Sequence, residues 1–274
     1  VKFESGTLKS SGSPTISGTM TQYNNAAIEV SAAQTLIYTG PSLSLGASTL
    51  SLSGGGTFAN TMSLVLDNAA SKLLLSSITV DNVSTSVDNS LGVEVENDST
   101  ITSLSVANIT PVSIATGKTL SGAIGVTAGS IKLTDTGTLV STVEMSDGTT
   151  LDADNSLTVS GALTQSGDIT IDVLGDQTLI YAGPPLSLGL NTLSIDGAGT
   201  LSNAAGSPLV LDQTDSILDF RGTGIVSGPV NLESGTLKSS GSPTISGALT
   251  QFNNATIEVS AAQTLIYTGQ IGRA

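Results

Sequence analysis

Asp212, Asp215, Asp219 and Arg221 are the nearest thing in this chain to a set of side chains that could do acid–base work. Carboxylates beside a basic residue could cleave a polysaccharide with one acid and one base. Asp219 and Arg221 stand two apart, so on a strand they share a face and read as a surface ion pair. The sequence contains no His and no Cys. Triads and acid–base sites built on His, and thiolate metal sites, are therefore excluded. The chain is expected not to be an enzyme.

Oxygen-rich pairs recur at Asp67-Asn68, Asp81-Asn82, Asp88-Asn89, Asn97-Asp98 and Asp152-Ala153-Asp154-Asn155. Such turns can hold Ca²⁺. None follows the EF-hand loop or the glycine-rich calcium nonapeptide, so most read as turns in which Asn and Asp tolerate left-handed backbone. Asp152 and Asp154 are the best calcium candidates among them, and no other cofactor is expected. Tyr38, Tyr181 and Tyr267 occupy one repeat position, where a row of rings could meet a sugar; packing with the hydroxyl in water is the plainer expectation. Thr-x-Thr at Thr19/Thr21, Thr100/Thr102 and Thr134/Thr136/Thr138 could order water on a flat face, but Thr19 is replaced by Ala162 and Ala248 in the other copies.

These residues are carried on a repeat. Val1 to Gly40 returns as Val230 to Gly269 with six of 40 positions changed, leaving 34 identical. Ser17 to Asn60 aligns without a gap on Ser160 to Asn203. Residues 1-75, 143-220 and 230-269 are thus related, and 76-142 read as divergent coils of the same kind. The expectation is a single continuous repeat array over 1-274. Because both ends fall in mid-repeat, the chain is expected to be a window cut from a longer array.

Short apolar–polar alternation, as in Ala27-Ile28-Glu29-Val30 and Thr49-Leu50-Ser51-Leu52, reads as strand. Turn formers such as Gly12-Ser13-Pro14, Asn24-Asn25 and Gly54-Gly55-Gly56 separate the runs. No stretch of ten residues carries a capped helical stripe. A Thr-Leu phrase returns at Leu8, Leu36 and Leu50 and as Thr57-Phe58; from Leu151 the same spacings lead to Leu179, Leu193 and Leu201. Side chains that return in this way stack into ladders. The fold class is therefore all-β, a parallel β-helix (β-solenoid). Coils of about 20–22 residues make it an elongated rod of about 13 coils, about 60 Å long.

Differences between copies suggest sides. Phe3/Leu232, Met20/Leu249 and Tyr23/Phe252 exchange apolar groups and are expected inside; Lys2/Asn231, Thr19/Ala248 and Ala27/Thr256 are expected outside. Pro14 and Pro184, replaced by Leu157 and Gln270, are expected in corners outside the paired segments.

Eight basic against 22 acidic residues give a net charge of −14. That disfavours nucleic acid and anionic membrane surfaces. No run approaches the length of a membrane span, so no membrane insertion of this segment is expected.

The Gly-Thr-Leu and Leu-Ser-Leu/Leu-Ser-Ile phrases, with Ser-Gly-Ala-Leu-Thr-Gln at Ser246 to Gln251, resemble the passenger β-helices of bacterial autotransporter and haemagglutinin-like adhesins. That resemblance implies an elongated protein at the bacterial surface or outside the cell. The leading expectation is a structural segment of a surface fibre or adhesin stalk, whose partner is itself, coil on coil, or a host surface ligand. A carbohydrate-binding or polysaccharide-degrading β-helix, the phage tail-spike type included, is the alternative, and ice binding a third.

Overall fold

The computed structural model describes residues 1–88 and 91–273. The described residues form strands and turns with no helix. Two compact units divide the chain, Val1–Ser141 and Thr142–Ala274.

Each unit is a β-solenoid. In the first, the strands Gly6–Ser10, Ala26–Val30, Thr49–Ser53, Lys72–Ser76, Gly92–Val95, Thr110–Ile114 and Ser130–Leu133 lie side by side in that order. In the second, the corresponding strands are Thr150–Ala153, Ile169–Val173, Thr192–Gly197, Ile217–Phe220, Thr236–Ser239 and Thr256–Val259. Seven laps and six make 13, the number expected. The pairings between laps are parallel, and each lap runs through three faces; Thr15–Ile16 and Thr21–Gln22 complete the first.

Apolar alternation sets the register. Ala26, Ile28 and Val30 point inward from one strand while Ala27 and Glu29 face out. Leu8, Ile28, Leu52 and Leu75 form one inward column, each a single lap beyond the last. A slip of one residue would turn the buried Leu and Ile of this column to solvent. The step from one lap to the next is not constant: it is longer from Ile195 to Phe220 and shorter from Leu218 to Leu237. Lap length varies because corners absorb insertions while strands keep register.

Glycine makes one corner possible. Gly54 and its counterpart Gly197 have φ of 111° and 81°, and a Cβ on either would run into the carbonyl of Val30 or Val173 on the lap before. Pro14 and Pro184 lie outside the strands, as expected.

Phe3, Leu232, Met20 and Leu249 are buried, and Lys2, Thr19 and Ala248 are exposed. Tyr23 and Phe252 depart from expectation: they are 55% and 43% exposed. They stand just past a strand end, in the corner, where alternation no longer governs direction. The interior of the second unit holds an apolar void lined by Leu151, Leu163, Leu179 and Tyr181, with room for about 10 Å³, roughly a single water.

Candidate functional site

Several acidic residues work at corners. Asp98 Oδ1 accepts the Thr119 N–H at 2.9 Å and the Thr119 hydroxyl at 3.2 Å, one lap on. Asp88 accepts the N–H of Ile109, Asp147 that of Asp168, and Asp168 that of Thr192. Asp67 and its counterpart Asp212 reach the other way, to Gly46 N–H and Gly189 N–H at 2.9 Å and to the hydroxyls of Ser44 and Ser187. Asn25 caps the Thr49 N–H in the same manner as Asp98. Each carboxylate thus satisfies a backbone donor that a corner leaves outside the ladder.

Several acidic pairs take roles other than those their composition suggests. Asp67-Asn68 is the turn expected, with Asn68 Oδ1 accepting the Ala70 N–H. Asp81-Asn82 is not a turn: it lies within the strand Thr79–Thr85, where Asn82 Nδ2 donates to the Asn60 carbonyl. Asn89 lies outside the described residues. Asp152 sits on the strand Thr150–Ala153, and Asp154 follows its end. In register, Asp152 pairs with Asp172 and Asp172 with Asp196, so three laps place a carboxylate in one outward column. The sequence hides that column because each member stands a whole lap from the next. Among the described residues no group of three or more Asp or Glu is arranged to hold a metal ion.

Asp212, Asp215, Asp219 and Arg221 do not converge. Asp212 is occupied at its corner, and Asp215 is exposed. Asp219 Oδ2 meets Arg221 Nε at 3.3 Å, the ion pair expected, and Lys238 Nζ at 3.9 Å. The carboxylate is buried, however, and its Oδ1 has no hydrogen-bond partner. Asp219 is held by two cations on one oxygen.

The tyrosines are staples. Tyr38 is fully buried, stacked 6.4 Å from Phe58. Its hydroxyl donates to the Pro41 carbonyl at 2.6 Å and accepts the Met20 N–H at 3.2 Å, tying one lap to the lap before. Tyr181 repeats this with Pro184 and Leu163. Burial pushes the Tyr181 phenol above its ordinary 10.0, and the Leu163 N–H pulls it part of the way back. At Tyr267 the proline is replaced by Gln270, and the hydroxyl donates to the Gly247 carbonyl instead. The expected solvent-facing hydroxyl is thus corrected at Tyr38 and Tyr181: it donates a hydrogen bond to a corner carbonyl, and these two buried rings are closed to a sugar.

No family model, curated protein or solved structure matches this chain.

Among the described residues, exposed aromatic rings stand at the corner of Tyr23 and Phe252. Tyr23 and Asn24 line an open groove of about 290 Å³ with Lys2 and Glu4. Phe252, Asn253 and Asn254 line one of about 610 Å³ with Gln251 and Arg273. Ile257 and Val259 are 52% and 45% exposed, whereas Ile28 and Val30, the same positions of the first copy, are 0% exposed beneath the strand Thr49–Ser53. Sequence comparison alone equates the two copies; what separates them is whether a further lap lies above.

Proposed function

We propose that this chain is a structural segment of an extracellular bacterial surface fibre or adhesin stalk, lengthened by stacking lap on lap. The observation that carries the reading is the stack itself: strands of one lap pair in parallel with those of the laps before and after, so the inner side chains of a lap are covered by its neighbours. Its polar side chains support the same reading, since the corner carboxylates and tyrosines serve to tie laps together. Load along such a segment is borne by main-chain ladders, with stacked Leu, Ile and Val excluding water from them.

Force spectroscopy on the chain, held at its two ends, tests this. A load-bearing solenoid yields in steps of whole laps, each releasing about 7–8 nm of contour. Extension without discrete steps would count against a mechanical role.

The exposed aromatic corners favour a second reading, carbohydrate binding. An aromatic face beside amides suits a sugar, whose C–H groups pack on the ring while Asn side chains bond its hydroxyls. The change from Tyr23 to Phe252 keeps the ring and loses the hydroxyl, as face-on packing permits. A glycan panel probed with the parent protein and with Phe252→Ala and Tyr23→Ala decides it: binding lost in the variants supports a sugar site, and no binding by the parent removes it.

A further inference from the structure

We propose that a groove on the first unit binds an extended chain of uncharged sugars, laid along the stack with about one ring to each lap. It lies inside the unit, on laps three to six, and shares no residue with the aromatic corners.

The groove holds about 320 Å³ and is lined from Gly55 and Gly56 on the third lap to Thr119 and Ser121 on the sixth. That volume is in the range of small-ligand sites. A column of hydroxyls runs through it. Thr79, Thr100 and Ser121 stand opposite one another on successive laps, about 4.8 Å apart. All three are half-buried, and among the described residues none of their hydroxyls has a protein partner. Elsewhere carboxylates take such groups: the hydroxyls of Ser44, Thr102 and Ser113 bond to Asp67, Asp81 and Asp135. Asp98 lines the same groove. Its Oδ1 serves Thr119, while its Oδ2 has no partner among the described residues.

These groups select a ligand by exclusion. A peptide strand would need an open main-chain edge, but the N–H groups of Thr79 and Thr100 already donate to the Gly56 and Ile78 carbonyls. A polymer bearing phosphate or carboxylate meets Asp98 and a net charge of −14. An apolar ligand would strip water from three hydroxyls and return no hydrogen bond. A sugar ring carries hydroxyls that donate and accept, as Thr and Ser do, and can donate to Asp98 Oδ2. One ring of an extended glycan is about as long as a lap is high, about 4.8 Å. Successive rings would therefore meet Thr79, Thr100 and Ser121 in turn.

The second unit supplies a comparison. Its matching column runs Thr178, Thr200, Ile225, so Ile225 stands where Thr79 stands in the column Thr35, Thr57, Thr79. Thr79→Ile thus installs a side chain that the same place in the repeat already accepts.

Isothermal titration calorimetry with gluco-, manno-, galacto- and xylo-oligosaccharides of increasing length tests the proposal, with oligogalacturonate as the anionic comparison. At least one neutral series is expected to bind, its affinity rising with length to about four rings, one for each lap of the groove, and then levelling. Thr79→Ile and Thr100→Val each weaken it about fivefold, as loss of a hydrogen bond does. Tyr23→Ala and Phe252→Ala leave it unchanged. Melting followed by circular dichroism confirms that each variant keeps the parent fold. No binding of any neutral series at millimolar concentration overturns the proposal, as does binding of oligogalacturonate alone. Binding kept in Thr79→Ile and Thr100→Val but lost in Tyr23→Ala or Phe252→Ala overturns this groove and upholds a sugar site at the aromatic corner.

Discussion

At the scale of the residue, the polar side chains act as ties between laps. Asp98 accepts two donors from Thr119, and Asp98→Ala leaves a corner N–H without its charged partner. A loss of about 1.5–3 kcal/mol is expected in urea unfolding, with Asp98→Asn retaining much of the stability because the amide oxygen still accepts. Tyr181→Phe removes the link between Leu163 N–H and the Pro184 carbonyl and is expected to cost about 1–3 kcal/mol. It also changes the response to alkali. With the phenol's pKa raised in the fold, its contribution is complete below pH 10 and is lost as pH rises through the folded value, because the unfolded chain gives up the proton first. The parent protein should therefore weaken above pH 10 more steeply than Tyr181→Phe, as urea midpoints taken through the alkaline range would show. These roles are not legible in the sequence. The Asp-Asn pairs stand out there as oxygen-rich turns, but their partners lie one lap away, at a distance fixed only once lap length is known.

At the scale of the element, strands are legible in the sequence and corners are not. Ala27-Ile28-Glu29-Val30 declares its two faces by alternation. Asp81-Asn82 reads as a turn by composition, yet it continues a strand because Asn60 supplies the hydrogen bonds. Tyr23 and Phe252 read as core from apolar exchange, a rule that holds on a strand and fails just past its end. Two pairs of matched substitutions probe the lap as a unit. Gly247→Ala would drive a Cβ against the Gly228 carbonyl, whereas Gly18, the same residue of the first copy, has no atom within 4 Å of that position. Gly247→Ala is expected to destabilise by about 1–3 kcal/mol and Gly18→Ala by under about 0.5 kcal/mol. Ile28→Ala should cost about 2–5 kcal/mol, as a deeply buried truncation does. Ile257→Ala, at a half-exposed side chain, should cost under about 1 kcal/mol.

At the scale of the whole molecule, the sequence announces its construction through repetition and withholds its chemistry. The gapless match of Ser17 to Asn60 with Ser160 to Asn203 sets laps of one unit on laps of the other, and the offset from Leu151 to Leu237 spans four laps of the second unit. The acidic charge of −14 is spread over corners, where several carboxylates cap backbone donors, and over outward strand positions. Hydrogen exchange at residues 26–30 and 255–259 tests lap cover most directly, since Ala27 and Thr256 give the two near-identical segments different masses. In this 274-residue chain 255–259 should exchange far sooner than 26–30, because only the latter lies under a further lap. Equal protection of the two segments would contradict the stacked-lap account.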